Sequence, residues 1–492
     1  MSRRIIMLLL IIKTLDGRLM SIFRNLAKVL ILAGILSGSL LAGGKIDQLK
    51  VGRMKGAFRS PVRGGWIFVH LEGSPSDVGY QHGHLMSEEI YDTLKVIQLE
   101  STHDSNKDWA FFRKAAQEIL WPKIEKEYRE ELQGILAGVT EQGYKLDLWD
   151  LVAMNASLEL GPYYVPYYEK QNGVKPVAKP PIPERCSAFV ATGSYTRDGK
   201  PVIAHNAWTS YMDGSRWNVM FDIAPIKGHR FLMDGLPGYI HSGDDFGVNA
   251  AGMMITETTI SQFIGFDPKG IPEFVRARKA MQYSGSIKEF AKIMTEGNNG
   301  GYANNWLVAD RKSGEIASLE LGLKNVTLRK SKDGYFTGSN YPENARLIAE
   351  ETDFDAKDLG VSATARRVRW TQLMEQNKGK IDAEMAKTFL ADHYDSFAKK
   401  EDANERTLCG HIELSPRGIK GWWGPYGTAG AVQNKVADAN MAKRMKISAA
   451  MGHACGRNFK AKEHLEKYKE YDWQTMMRDL NANPWTEFET AR

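Results

Sequence analysis

The sequence has little of what several protein classes depend on. It holds three cysteines in 492 residues, so it is not a disulfide-dense secreted scaffold. No stretch after Gly44 is long and apolar enough to span a bilayer, and no low-complexity tract or internal repeat is evident. The net charge of +6 is concentrated in residues 1–44, which carry six Lys or Arg against one acid. A nucleic-acid partner is therefore not supported by charge.

Residues 1–44 have the pattern of a targeting segment. Met20 begins a short basic region, an apolar run follows, and Ala42-Gly43-Gly44 supplies the small residues of a cleavage site. The true start is Met1 or Met20, and a retained N-terminal anchor is the alternative interpretation. We expect an exported protein, secreted or periplasmic, or one of a lysosome-type compartment if the source is eukaryotic.

The rest of the chain changes character at a proline-rich stretch. Residues 74–160 have apolar positions at three- and four-residue spacing, which predicts helices. Proline and glycine in 161–185 predict a loop without helix that is suited to processing. Strands are predicted from 186 to about 340, and helices after 341. The predicted parts are a signal peptide (1–44), a mainly helical pro-segment (45–185) and a C-terminal part (186–492).

Cys186 follows that loop and opens a predicted hairpin. Asp198-Gly199 lies between two short apolar runs and is typical of a two-residue hairpin turn. Such a turn would pair Cys186 with Tyr211, nearer to Thr209 than to His205.

Cleavage before this cysteine would make it a chain terminus. If the Arg185–Cys186 bond is cut, the new α-amino group, with an ordinary pKa of about 7.7–8.0, can serve as the base for the Cys186 thiol. The alternative is a small buried residue at a strand start, since free cysteines are usually buried.

The hairpin sequence CSAFVATGSYTRDGKPVIAHNAW (186–208) resembles the nucleophile hairpin of the N-terminal-nucleophile hydrolases. In particular it is similar to the phospholipase-B-like proteins and the acyl-coenzyme A:isopenicillin-N acyltransferase family. Further similar blocks are GVNAAGMMITETTI (247–260), GNNGGYANNWLVAD (297–310), GYFTGSNYP (334–342) and GTAGAVQNKV (427–436). The resemblance implies an α+β fold, a four-layer αββα sandwich, with autoproteolysis before Cys186 and catalysis in 186–492.

Acyl transfer through a thioester needs a sulfur, a base and donors for the developing oxyanion. Cys186 and its own amine are predicted to supply the first two. The resemblance implies an oxyanion role for Asn340, with Asn305 as a second amide donor. It also implies that Arg366 lies near the thiolate.

Other candidate residues follow the second hairpin strand or a later block. Asn206 and His205 are candidate catalytic residues. Asn206 stands where the similar families have an acid, and a direct pair of Cys186 with His205 is the less favoured alternative. Candidate substrate contacts are Trp208, Thr209, Tyr211 and Thr258, although core packing is the usual role of aromatic residues.

No cofactor and no metal are predicted. His82 and His84 are two residues apart, so a helix would point their side chains in different directions. Cys409 and Cys455 could pair as a disulfide, which would leave Cys186 free.

The leading hypothesis is an exported, self-cleaving cysteine amidohydrolase or acyltransferase acting on N-acyl compounds or small peptide-like amides. A phospholipase B-like enzyme that removes acyl chains from glycerophospholipids is the alternative that the resemblance also carries. A secreted binding protein without turnover is the third hypothesis, because fold does not decide function. We expect a small-molecule acyl amide or lipid as partner and no nucleic acid; the oligomeric state stays open.

Overall fold

The computed structural model describes residues 52–174, 186–244 and 246–491. The chain divides into two units, Met1–Lys55 and Gly56–Arg492, and the description below concerns the second. The predicted targeting segment (1–44) and the predicted cleavage residue Arg185 lie outside the described residues, so both stay predictions. Within the described ranges, no helix has the length and apolar character needed to cross a membrane.

Strands form two large sheets and one small ribbon. The strands are β1 Phe58–Arg59, β2 Ile67–Gly73, β3 Ser187–Thr192, β4 Val202–Ser210, β5 Val219–Pro225, β6 Phe231–Gly235, β7 Gly247–Asn249, β8 Met253–Thr259, β9 Asn304–Asp310, β10 Ile316–Leu321, β11 Val326–Ser331, β12 Gly334–Gly338, β13 Tyr394–Asp395, β14 Lys400–Glu401, β15 Ala429–Asp438, β16 Lys446–Met451 and β17 Thr486–Glu489.

The first sheet has the strand order β1-β2-β5-β6-β7-β8-β9-β10-β11, and the second has β12-β3-β4-β15-β16-β17. Strands β13 and β14 form the ribbon. Neighbouring strands are antiparallel except β2 and β5, which run parallel.

Helices precede, interrupt and follow these strands. They are α1 Pro75–Leu85, α2 Ser87–Ser105, α3 Trp109–Ala115, α4 Lys126–Glu141, α5 Leu148–Asn155, α6 Ser157–Glu159, α7 Val165–Gln171, α8 Tyr211–Gly214, α9 Glu273–Tyr283, α10 Ile287–Thr295, α11 Ala345–Glu351, α12 Ser362–Gln376, α13 Ala383–Leu390, α14 Ala439–Lys443 and α15 Ala461–Lys467.

Three apolar cores separate four layers. One lies between the N-terminal helices with α9 and α10 and the outer face of the first sheet. A second lies between the two sheets, and a third between the second sheet and helices α12 and α13. Along β3, Ala188 and Val190 face the inter-sheet core while Phe189 and Ala191 face the helices, as the two-residue period of a strand requires. The predicted α+β sandwich of four αββα layers is confirmed.

Helices α1 and α4 cross at glycines. A Cβ on Gly79 would lie 1.9 Å from the Glu131 carbonyl oxygen, and one on Gly83 would lie 2.1 Å from that of Ile135. These glycines, four residues apart on α1, thus let the backbones of the two helices come into contact. On the same helix, His82 Nε2 accepts a hydrogen bond from the Gly238 N–H at 2.9 Å, which joins α1 to the segment after β6.

The predicted loop 161–185 is wrong in its first part. A π-helical turn, Leu160–Tyr164, continues into α7. Pro166 is the second residue of α7 and lacks an N–H, so the junction between the π-helical turn and α7 has one helical hydrogen bond fewer. Residues 175–185, which include the rest of that loop, lie outside the described residues.

The predicted two-residue turn between β3 and β4 is also wrong. Ala191 pairs with Val202 and Ser187 with Asn206, so a longer connection containing a 3-10 turn, Gly193–Tyr195, joins the strands. The Asp333 carboxylate accepts a hydrogen bond from the Ser194 N–H at 2.6 Å, a tertiary contact that no local turn rule includes. Extended by one residue, this register sets Cys186 opposite Ala207 instead of Tyr211.

Candidate active site

Cys186 lies at the entrance to β3 in a conformation that is rare for any residue except glycine. Its φ is +86°, and its side chain is 1% exposed. A non-glycine residue in this region stores about 1–3 kcal/mol of backbone strain. The surrounding structure must therefore hold Cys186 in place.

Arg366 of α12 binds the backbone of Cys186 and helps to keep it in this conformation. Its Nη1 donates to the Cys186 carbonyl oxygen at 2.6 Å and to Ser187 Oγ at 3.0 Å. Its Nη2 donates to Asn340 Oδ1 at 2.8 Å, and its guanidinium lies 4.3 Å from the centre of the Trp208 ring. A buried arginine thus ties the predicted nucleophile to the predicted oxyanion residue.

Asn340 is also held in a left-handed conformation, with φ +67°. Its Nδ2 donates to the Thr259 carbonyl oxygen at 2.7 Å, and its own carbonyl accepts from the Ser261 N–H at 2.9 Å. These contacts join the segment after β12 to the end of β8. The amide of Asn340 is therefore oriented before any substrate arrives.

The thiol of Cys186 faces His205 and Glu257. One ligating atom of each, the sulfur, a ring nitrogen and a carboxylate oxygen, lie within 4.8 Å of one another. We call these three residues the nucleophile cluster. The sequence interpretation placed His205 well down the strand from Cys186. That expectation is wrong, because it rested on the two-residue turn and the real register brings His205 diagonally across from Cys186.

A buried charge network that sequence reasoning missed adjoins this cluster. Lys435 Nζ, on β15, donates to Asp244 Oδ2 and, at 3.1 Å, to Asp234 Oδ2. His205 Nδ1 lies 3.9 Å from Asp244 Oδ2. The available signal was a lysine inside the apolar strand AVQNKVA, since a fully buried lysine is rare without partners.

These surroundings keep the Cys186 thiol and the His205 imidazole neutral in the intact chain. Burial, Glu257 and Asp244 raise the pKa of the Cys186 thiol well above its ordinary value, against a hydrogen bond from the Trp208 N–H. Burial and the charge of Lys435 lower the pKa of His205 to about 3. Burial and the neighbouring Asp244 raise the pKa of Asp234, so one carboxylate balances Lys435 and the other stays protonated.

Other predicted site residues lie away from the thiol. Asn206 Nδ2 donates to the carbonyl oxygens of Leu390 and Leu408, both 2.8 Å away, on the helical side of the sheet. Tyr211 donates to Glu413 Oε2 at 2.5 Å. The structure thus gives Asn206 and Tyr211 structural contacts in place of the predicted catalytic and substrate-binding ones.

Three further candidates have contacts that leave their roles as predictions. Thr209 Oγ1 donates to the Asp213 carboxylate at 2.9 Å. Asn305 Oδ1 accepts from Ser318 Oγ at 2.7 Å, and Asn305 pairs with Thr258 across β9 and β8. Thr258 itself packs so closely on Gly338 that a Cβ there would lie 2.4 Å from Thr258 Oγ1.

The nucleophile cluster contains ligand types that bind metals, but its charge is unfavourable for an ion. Lys435 acts electrostatically on both Cys186 and His205, and a cation there would meet this ammonium group. Acid–base and nucleophilic chemistry fit these residues better.

Comparisons with known proteins give the chain a family. The sequence profile described as "Phospholipase B" matches residues 78–484. A protein of Archaeoglobus fulgidus described as uncharacterized is 26% identical over 312 residues, which cover 60% of this chain and 49% of that protein. Bovine phospholipase B-like 1 is 22% identical over 279 residues, which cover 51% of this chain and 49% of that protein. The chain therefore spans about half the length of these relatives.

A solved structure also aligns with part of the chain. Penicillin V acylase from Agrobacterium tumefaciens is 13% identical, with a TM-score of 0.27, over 54% of this chain and 83% of the acylase. A score this low carries no weight for the fold, which the four layers described above establish directly.

Proposed function

The chain belongs to the phospholipase B family, and we propose that it is an exported, self-cleaving cysteine hydrolase of the N-terminal-nucleophile type. In this proposal the Arg185–Cys186 bond is cut, and Cys186 then carries acyl groups as a thioester. Amides, such as N-acyl compounds or small peptide-like molecules, are the proposed substrates.

One observation carries the proposal: Cys186, the residue after the bond proposed to be cleaved, has a strained backbone that is held by hydrogen bonds. Cys186 has φ +86°, its carbonyl oxygen is bound by Arg366, and its sulfur faces an imidazole and a carboxylate. A structural cysteine needs none of these features. Breaking the bond before Cys186 would release the strain of about 1–3 kcal/mol.

The chemistry of cleavage can be written with these residues. Sγ of Cys186 attacks the Arg185 carbonyl carbon as its proton passes to the neutral imidazole of His205. The C–N bond then breaks, and the amine of Cys186 leaves with that proton. Water hydrolyses the resulting thioester, which gives a carboxylate on Arg185 and restores the thiol.

Cleavage would also change the electrostatics of the cluster. In the intact chain Glu257 and Asp244 disfavour the thiolate. A new α-amino group on Cys186 itself would bring a titratable positive charge close to the sulfur, and its protonated form would offset the charge of these acids. In its neutral form the amine can take the thiol proton as the base for acyl transfer, and the oriented amide of Asn340 is the proposed oxyanion donor.

A phospholipase B-like activity is the second candidate, because the matching profile and bovine phospholipase B-like 1 bear that description. The same nucleophile would attack an ester instead of an amide. Hydrolysis of an N-acyl amino acid panel, compared with release of fatty acid from a diacyl glycerophospholipid, separates the two.

Mass spectrometry of the purified protein tests the proposal. Wild type is expected to give two fragments, the second beginning at Cys186, and Cys186→Ala a single chain that is not cut at this bond. Cys186→Ser is the matched variant, since it keeps a weaker nucleophile and should be cut slowly. A folded wild-type chain that stays intact, with a thiol that does not react with alkylating reagents, would refute the enzyme and favour a binding protein.

A further inference from the structure

A second cluster of cysteine and histidine side chains lies apart from the nucleophile cluster. We call His393, Cys409, His411 and Cys455 the Cys2His2 cluster. His393 lies between α13 and β13, Cys409 and His411 precede a 3-10 turn, Ile412–Leu414, and Cys455 follows β16. One ligating atom from each of the four lies within 4.8 Å of all the others.

The spacing of these atoms fits one tetrahedral ion. Nε2 of His393 is 3.2 Å from Nε2 of His411, and Sγ of Cys455 is 3.5 Å from the same His411 nitrogen. With Zn–N of about 2.05 Å and Zn–S of about 2.3 Å, a tetrahedral site separates two nitrogens by about 3.3 Å and a nitrogen from a sulfur by about 3.6 Å. Both observed distances agree with these values to about 0.1 Å.

A disulfide accounts for less of this arrangement. Cys409 and Cys455 are both free thiols in the structure, and their sulfur atoms lie within 4.8 Å of each other. A bond between them would explain the two sulfurs but not two imidazoles aimed at the same point. Two thiols with two imidazoles are a ligand set that zinc(II) prefers.

Neighbouring groups orient one of the imidazoles as metal sites commonly require. His411 Nδ1 lies 2.8 Å from Glu413 Oε1, and Glu413 Oε2 accepts from the Tyr211 hydroxyl at 2.5 Å. A metal-bound histidine usually donates its other ring N–H to a carboxylate, which fixes the tautomer and turns the bare nitrogen toward the ion. The Cys409 N–H, in turn, donates to the Asp392 carbonyl oxygen at 3.1 Å and fixes the loop.

We propose that His393, Cys409, His411 and Cys455 bind one zinc(II) ion in a structural site. Four protein ligands close the coordination sphere, which is the arrangement of structural rather than catalytic zinc. Binding would release the two thiol protons to solvent. The inference goes beyond the proposed function and holds whether or not Cys186 is a nucleophile.

The site would stabilise the surroundings of Trp208, whose backbone N–H forms a hydrogen bond with the Cys186 thiol. Gly410 lies between two of the ligands, and a Cβ there would lie 2.1 Å from the Trp208 ring. The Gly410 carbonyl also accepts from the Ala431 N–H on β15 at 3.0 Å. Zinc would therefore join residues 391–411 and the segment after β16 to the strand that carries Trp208.

Metal analysis of the full-length protein, purified under mild reducing conditions, tests the proposal. We expect about one zinc per chain, and three alkylated cysteines after denaturation with a chelator. Exchange with cobalt(II) should give thiolate-to-metal charge-transfer absorption. Chelation of the folded protein should lower its melting temperature, because bound metal stabilises only the folded state.

Variants separate this site from the nucleophile cluster. Cys455→Ser and His393→Gln should lose the zinc, while Cys186→Ser, which also removes a thiol, should keep it. Glu413→Gln keeps all four ligands and should weaken zinc binding about 10- to 100-fold. It serves as the test if a ligand variant does not fold.

Two results would overturn the proposal. One is a folded wild-type protein that takes up no zinc or cobalt under reducing conditions. The other is loss of the metal in Cys186→Ser with retention in Cys455→Ser, which would place the ion at the nucleophile cluster.

Discussion

The nucleophile cluster and the Cys2His2 cluster use the same residue types in opposite ways. Each brings cysteine and histidine atoms within 4.8 Å of one another and has a glutamate close by. Around Cys186 the backbone is strained, and Lys435 adds a positive charge. Around His411, by contrast, no ligand has a positive φ and a carboxylate supports the imidazole from behind.

The difference shows that surroundings decide what a cysteine can do. A strained residue beside a buried cation is suited to bond breaking and unsuited to holding an ion. Four unstrained ligands at tetrahedral spacing are suited to an ion, which would neutralise both thiolates. The experiments below break or sharpen this contrast, from the largest expected effect to the smallest.

Substituting one cysteine in each cluster should affect cleavage in one variant and zinc binding in the other. Cys186→Ala is expected to lower the rate of cleavage and acyl turnover by about 10⁴-fold or more, since a covalent nucleophile has no substitute. Cys455→Ser should be cut at Cys186 but lack zinc. Fragment masses and metal content, measured on the same samples, check both; identical phenotypes would remove the contrast.

Removing the proposed oxyanion donor should have the next largest effect. Asn340→Ala is expected to slow chain cleavage about 100- to 1,000-fold. Asn344→Ala is the matched control, because that asparagine caps α11 and its loss should affect stability by about 1 kcal/mol and not cleavage. Time courses of fragment formation measure both, and equal rates would deny Asn340 its role.

Gly410 connects the clusters, so a single methyl group there should disturb both. Gly410→Ala would press against the Trp208 ring and is expected to destabilise the protein by about 1–3 kcal/mol. Zinc affinity and the cleavage rate should fall together. Gly161→Ala, with nothing within 4 Å of the new atom, is the control, and denaturant titration is the measurement. A Gly410→Ala protein that changes only one cluster would show that they are independent.

The smallest effect concerns pH and the buried His205. Burial and Lys435 hold its pKa at about 3, while the unfolded chain has an ordinary value of about 6.5. The unfolded state therefore takes up the proton first, and stability falls as the pH drops from about 6.5 toward 3. His205 should contribute a loss of about 2 kcal/mol between pH 7 and pH 5.

The measurement uses Cys186→Ala, which is not cut, so that chain cleavage does not change the stability during the experiment. We expect the pH-dependent loss in Cys186→Ala to shrink by that amount when His205→Gln is added. Denaturant midpoints at both pH values give the difference. An unchanged pH dependence would mean that the fold leaves the pKa of His205 near its ordinary value of about 6.5, and a larger loss in the double variant would mean that the fold raises it.

Much of the architecture could be predicted because it rests on local patterns. The period of apolar residues gave the helices of 74–160 and the strands after 186, and the similar blocks gave the four layers. The hairpin register could not be predicted in the same way. A tertiary contact from Asp333 to Ser194 supports a longer connection, and every pairing on β4 shifts with it.

By itself, the sequence determined most of the elements and a cysteine at the start of a strand, and its resemblance to a known family implied the four layers. These follow from side-chain periodicity and from motifs contiguous in the chain. Only the tertiary structure decided that His205 faces Cys186, that Lys435 meets two aspartates, and that four ligands between His393 and Cys455 converge. Such contacts join residues of different elements, and the packing of whole layers sets the distances between these residues.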